Sequence, residues 1–398
     1  MDAAAPLPAT PAARVLVAGA GPAGMVAALE LARAGIPSTV FEAGPRDGTR
    51  DNLVDIAPST QDELSQMGLD DALAALQPVR MVTTHNAMAG IVHESDRGDA
   101  LQPDASRGDA SIDALLDSIR GQDPRAWGRV AIGTLEDALR GIAERDYPDL
   151  VELRFDTTVT AIGQDADTVR ATVQGSDGSR QVVEGSYLVS ATGGRSPLGV
   201  AAVPSGPTME FVGARLPASR DTRTEVAREV GDGSRLTPRD QLALTIGLHG
   251  NGAVGHSMAW VQLDRPAGEV DPDALRQVVA ERAAQVGLEL PDADAVELVP
   301  VTVQLGGVDQ AVHGRVLLVG DELQLPYFPN STGANAGVVT ARAAAMAIAA
   351  AAQGMQRGED PSAVLAEHDA RTVAGAQRLL ELNRTSMDRA LGAQAAVA

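Results

Sequence analysis

The chain of 398 residues contains no cysteine. Disulfides, a thiol nucleophile, iron–sulfur or zinc–thiolate sites and a redox-active cysteine pair are therefore excluded. Aromatic residues make up only 2% of the chain, so the core has to be aliphatic and each aromatic side chain gains weight as a marker. Basic residues are outnumbered 32 to 53, a formal charge of -21, which argues against nucleic acid or an anionic membrane surface as a partner. The six histidines form no H-x-x-x-H pair or neighbouring ligand set, and the acidic run Pro291 to Asp294 has no calcium-loop spacing, so no metal is expected. Met1 to Ala12 lacks a basic n-region and a long apolar stretch, and reads as a disordered tail and not a signal peptide. Ala341 to Ala352 is apolar but short and carries Arg342, which suits a buried helix better than a membrane span. A cytoplasmic setting is the expectation.

What is present starts with Val15-Leu16-Val17-Ala18-Gly19-Ala20-Gly21-Pro22-Ala23-Gly24. This reads as a short apolar strand, a glycine turn and a helix from Pro22 to Ala34, followed by a strand Ser38 to Phe41 that ends on Glu42. In such a βαβ unit Gly19 allows the tight turn, Gly21 lets backbone approach a pyrophosphate, and Gly24 lets helix and strand pack closely. The N-terminus of the helix, where Pro22 has no N–H and Ala23 follows it, offers free N–H groups and partial positive charge to a diphosphate. Glu42 lies about twenty residues on, where an acid accepts hydrogen bonds from ribose hydroxyls. The pattern predicts a dinucleotide site without choosing between NAD and FAD.

Further along, helices are expected at Thr60 to Leu76, Thr134 to Glu144, Pro272 to Val286, Ala334 to Gln353 and Pro361 to about Leu391, with the last residues frayed. Residues 78–128 lose clear periodicity, and Ser95 to Ser111 reads as a surface excursion. From Val151 an antiparallel meander is expected (Val151 to Phe155, Val159 to Ile162, Thr168 to Gln174, Gln181 to Glu184). A second sheet is expected from Met209 to Leu216, Gln241 to Leu248, Gly255 to Leu263 and Val296 to Leu305. Glu225, Arg228 and Glu229 read as a solvated helix face. Two more buried strands end in glycine: Tyr187 to Gly193, and Arg315 to Gly320 followed by Asp321. No internal repeat is present.

Three separated motifs agree in order: Gly19 to Gly24 with Glu42; Leu188-Val189-Ser190-Ala191-Thr192-Gly193-Gly194-Arg195-Ser196-Pro197; and Gly314 to Asp321 followed by Gly333-Ala334-Asn335-Ala336-Gly337. Together they resemble the FAD-dependent monooxygenases of the para-hydroxybenzoate hydroxylase type over roughly Arg14 to Ala350. The resemblance implies an α/β fold: a Rossmann-like FAD-binding domain with a parallel sheet and β-meander (13–77, 129–200 and 306–353), and a second α+β substrate domain with a mainly antiparallel sheet (78–128 and 201–305). A disordered tail (1–12) precedes them and a C-terminal helical segment (354–398) follows. It also implies that Asp321 contacts the ribityl chain of FAD, and that backbone N–H groups near Gly333, Ala334 and Asn335 face the flavin pyrimidine. Arg50 matches an arginine beyond the ribose acid. Arg129 precedes the helix near another flavin-contacting arginine, whose usual register falls on Ile132.

Departures from the family pattern are equally specific. Thr192 stands at an aspartate position, Gly199 at an arginine, Gln324 at a histidine and Ser331 at a glycine. FAD binding tolerates these changes; direct reduction by NAD(P)H is left open, and a separate flavin reductase becomes an expected partner. Tyr327 and Phe328, between prolines, read as a pocket wall at the flavin face or as a rigid turn whose aromatics fill core. Gln324 and His256 are further pocket candidates. Gly255-His256-Ser257 is no hydrolase elbow, because strand residues follow it. The expected activity is oxygen insertion into an apolar small molecule, natural products included, by hydroxylation or epoxidation through a flavin C4a-hydroperoxide. The alternatives are a non-redox FAD-containing cyclase or isomerase of natural-product biosynthesis, and a flavin reductase of isoprenoid double bonds.

Overall fold

The computed structural model describes residues 14–48, 50, 52–79, 81–86, 91–96, 100–106, 111–194, 202–217, 225–229, 241–245, 256–263, 267–285, 297–327 and 330–396. The expected tail, 1–12, and Phe328 lie outside these residues.

A six-stranded sheet runs in the order Val312–His313, Val316–Leu318, Tyr187–Ser190, Val15–Ala18, Ser38–Phe41, Val151–Arg154. Every pairing in it is parallel except that of the Val312–His313 edge. The three glycine-ended strands are thus neighbours, and their C-terminal ends meet along one rim. Val15, Leu16 and Val17 are fully buried, as befits a parallel strand covered on both faces. One cover is the Pro22–Arg33 helix, packed on the Thr332–Gln356 helix through Met25, Leu29, Val338, Ala341 and Ala345. Alanines and glycines on these faces let the two helices approach closely, which is how so few aromatics suffice for a dense core. Thr332–Gln356 has the length and composition to cross a bilayer, and 61% of its apolar window is buried inside the protein.

Beside this sheet stands a three-stranded meander, Thr157–Gln164, Val169–Gly175 and Arg180–Gly185. The first strand expected in the meander belongs elsewhere: Val151–Arg154 pairs in parallel with Ser38–Phe41. It follows directly on the Ile132–Asp146 helix, and a strand–helix–strand crossover returns the chain to the parallel sheet. The second sheet, Gln241–Thr245, His256–Leu263, Val203–Pro217, Glu297–Gly307 and Gln324–Leu325, is antiparallel throughout.

Other expectations need correction. The expected helix from Thr60 to Leu76 is two helices, Pro58–Gln66 and Asp70–Ala74, broken where Gly68 takes a positive φ of 69°. Glu225–Glu229 is no helix face but a strand paired in parallel with Met81–Asn86. That strand also pairs with Ile91–Asp96, so the 78–128 stretch holds a small sheet. The same stretch holds the Ile112–Ile119 helix, capped where Ser111 Oγ accepts from Ala114 N at 3.3 Å. The last helix, Ser362–Ala396, continues past the fraying expected after Leu391.

Candidate active site

The strand rim and the helix N-termini above it enclose a cleft of ≈ 740 Å³. At one end lies the glycine turn. Gly19 has φ of +103°, and a Cβ there would collide with the Ala191 carbonyl. A Cβ on Gly24 would overlap the Gly19 carbonyl oxygen, so this glycine sets how closely helix and strand approach. Gly21 differs: the nearest atom to a Cβ there is Glu136 Oε1 at 3.7 Å, so protein packing does not demand glycine. The open space lies before the uncapped N-terminus of the Pro22–Arg33 helix, with Pro22 in its first turn.

Glu42 faces the same space with both oxygens oriented. Oε2 accepts from Ala20 N at 2.8 Å and Oε1 from Gly44 N at 2.9 Å. Each oxygen keeps lone pairs for a ligand hydroxyl. Arg50 lines the cleft, its guanidinium half-exposed, with Nη2 3.2 Å from Glu136 Oε1. The pair touches without hydrogen-bond alignment, for Glu136 Oε1 has no hydrogen-bond partner. Burial dominates and, with Glu42 and Asp137 nearby, pushes the Glu136 carboxyl up to about 7 against the pull of Arg50 and Arg140.

At the other end stand Asp321, Gly333 and Ala334. Burial, with the Glu322 charge second, raises the Asp321 carboxyl to about 6. Ser331, at φ 54°, turns the chain into the Thr332–Gln356 helix, keeping the left-handed conformation that a glycine would take freely. Asn335 is wholly buried behind that turn. Its Oδ1 accepts from Ala57 N at 2.8 Å, and its Nδ2 donates to Asp55 O at 2.8 Å and Ser331 O at 2.6 Å.

The structure therefore brings Gly19, Gly21, Pro22, Ala23, Glu42, Arg50, Asp321, Gly333 and Ala334 to one wall, while Gly24 and Asn335 act from behind it. Arg129 lies elsewhere. It is 2% exposed and grips Asp55 with Nε–Oδ1 at 2.6 Å and Nη2–Oδ2 at 2.7 Å, a strut beneath the cleft, while Ile132 lines the wall. Of the pocket candidates, Tyr327 is buried among Met209, Phe211, Val303, Leu305 and Met387, as core. Gln324 is buried in its short strand, Nε2 donating to Leu325 O at 3.4 Å. His256 begins a strand opposite Pro217, its side chain outside the described residues. Sequence reasoning missed Glu136 and Glu322. Glu136 sits on a helix face that reads as polar, and Glu322 follows directly after a motif that draws attention to Asp321.

The parallel sheet with its switch of strand order, the two helix N-termini and the oriented acid define a dinucleotide-binding α/β protein. Its donor set suits a long ligand with a diphosphate at one end of the cleft and an electron-accepting ring at the other. The chain belongs to the family described as FAD binding domain, matched over residues 12–381, and the resemblance read from the three motifs is borne out. A flavin-dependent monooxygenase of Mycobacteroides abscessus is 27% identical over 338 residues, 81% of this chain and 64% of that enzyme. Aklavinone 12-hydroxylase RdmE of Streptomyces purpurascens is 26% identical over 355 residues, 85% of this chain and 62% of that enzyme. The crystal structure of the flavin-dependent monooxygenase PieE in complex with FAD and substrate shares the fold. Its TM-score is 0.70 at 20% identity, covering 96% of this chain and 64% of that one. The chain thus spans less than two thirds of these relatives' lengths.

Proposed function

We propose that the protein is an FAD-dependent monooxygenase that hydroxylates or epoxidises an apolar small molecule of natural-product type. One observation carries the reading: a single cleft joins an open diphosphate turn and an oriented ribose acid to a second helix N-terminus beside a buried aspartate. The residues fit FAD. Gly19, Gly21, Pro22 and Ala23 hold the diphosphate at the helix N-terminus, Arg50 neutralises it and Glu42 binds ribose hydroxyls. Asp321 receives the ribityl chain, and Gly333 and Ala334 present backbone N–H groups to the flavin ring, a position Asn335 braces from Ala57 and Asp55. The helix end favours negative charge there by up to ~2 kcal/mol.

When bound, FAD supplies two-electron chemistry with O₂. The chain's own task is to bind, orient and exclude water, which is positioning more than acid–base work. Residues 13–77, 129–200 and 306–353 form the cofactor domain in this reading, with 78–128 and 201–305 the substrate domain. A cytoplasmic location and a separate flavin reductase complete the proposal, with NAD(P)H as direct reductant left to experiment. The relatives named above carry monooxygenase and hydroxylase names, and the redox-silent alternative has no counterpart among them. The test is to purify the protein, record its flavin spectrum, and follow NADH and NADPH consumption and O₂ uptake with and without added reductase. A colourless protein that takes up no FAD refutes the reading; turnover of a substrate without O₂ refutes the monooxygenase.

A further inference from the structure

Glu322 ends the one-turn segment Gly320–Glu322 and has no exposed surface. Its Oε1 accepts three hydrogen bonds, from Ser190 Oγ at 2.9 Å, Thr192 N at 2.8 Å and Thr192 Oγ1 at 2.5 Å. Its backbone oxygen accepts from Ala202 N at 3.1 Å. The second carboxyl oxygen is buried with no hydrogen-bond partner. Burying an acid with one oxygen unsatisfied is costly.

Its position suggests the use. Thr192, which it holds, and Asp321, its neighbour in sequence, both line the cleft. Glu322 therefore stands just behind the wall, at the end where the Thr332–Gln356 helix directs its positive N-terminus. We infer that Glu322 is a positioning residue that pins the cleft-facing turn at Thr192 and sets a buried negative charge behind the flavin end, lowering the reduction potential of bound FAD. This rests on the FAD reading proposed above. Two-electron reduction with uptake of one proton adds one negative charge to the flavin. A fixed negative charge in a medium of low dielectric opposes that change, whereas the helix end favours it.

The test is the reduction potential of the holoprotein, measured against reference dyes during slow reduction. Glu322→Gln keeps the shape and removes the charge. At fixed solution potential it is expected to raise the reduced-to-oxidised ratio at least tenfold, about 30 mV for a two-electron couple. Ser190→Ala keeps the acid but removes one of its donors, and is expected to move the potential the opposite way. It also serves if the first variant does not fold. An unchanged potential in Glu322→Gln, or an unchanged or raised one in Ser190→Ala, overturns the inference while the cofactor assignment stands. Wild-type protein that takes up no FAD overturns both.

Discussion

Glu136 sits in the second turn of the Ile132–Asp146 helix, 5% exposed, facing a half-exposed Arg50 across the turn before Gly21. Its carboxyl is pushed from 4.5 up to about 7, chiefly because burial strips water from the charged form. The folded apoprotein therefore holds a proton that the unfolded chain releases. Between pH 4.5 and 7 the native state binds more protons, so stability falls as pH rises through that window and the loss is complete above it. With one unit worth 1.36 kcal/mol, the full cost at pH 8 is about 3 kcal/mol. Glu136→Gln abolishes the titration. Urea unfolding of wild-type and variant apoprotein should give similar stability near pH 4.5 and an advantage to the variant of up to about 3 kcal/mol at pH 8. Asp321 contributes a slope of the same sign, but it is common to both proteins and cancels in the difference. The ligand should feel the same group: a charged Glu136 competes with a diphosphate for Arg50, so wild-type FAD affinity should fall from pH 6 to 8 and the variant's should not. Parallel pH profiles for the two proteins would refute the reasoning.

Glu42→Ala removes the acceptor of two backbone N–H groups and the proposed ribose contact; titration by flavin fluorescence should show FAD affinity weakened by about 2 kcal/mol, some thirtyfold. Gly24→Ala forces the Pro22–Arg33 helix off its strand, and chemical denaturation should show a loss of at least ~3 kcal/mol. Ser331→Gly relieves a serine held at φ 54° and should raise thermal stability by about 1 kcal/mol. Asn335→Ala leaves buried Ala57 N and Asp55 O unpaired, so it should cost about 2–4 kcal/mol in denaturation and weaken FAD binding although Asn335 stands behind the cleft wall.

The glycine-ended strands of the parallel sheet were legible because their signals are local. Gly19, Gly21 and Gly24 answer to backbone geometry within a few residues, and Glu42 to a fixed distance along the chain. The Val151–Arg154 strand was misassigned because an edge strand and a meander strand show the same alternation, and only the choice of partner tells them apart. Glu225–Glu229 defeated the reading for a related reason: its partner Met81–Asn86 lies far away in sequence, and tertiary pairing overrides what five residues prefer alone. The Ile112–Ile119 helix carried its own cap and spacing in Ser111, Ile112, Leu115 and Leu116, yet the Asp- and Gly-rich run before it hid them. Arg129 was expected to contact the ligand only because the resemblance carries a flavin-contacting arginine near this helix; Asp55, on the adjacent strand, claims it instead.

The cleft walls come from Gly19, Thr192 and Gly337, which lie far apart along the chain. On a ribosome adding ~5–20 residues per second, the first wall waits some tens of seconds for the last. Until then Gly21 and Glu42 line one wall with no second wall opposite. Cofactor capture is thereby tied to synthesis beyond Gly337, and a nascent chain stalled before it should emerge without colour.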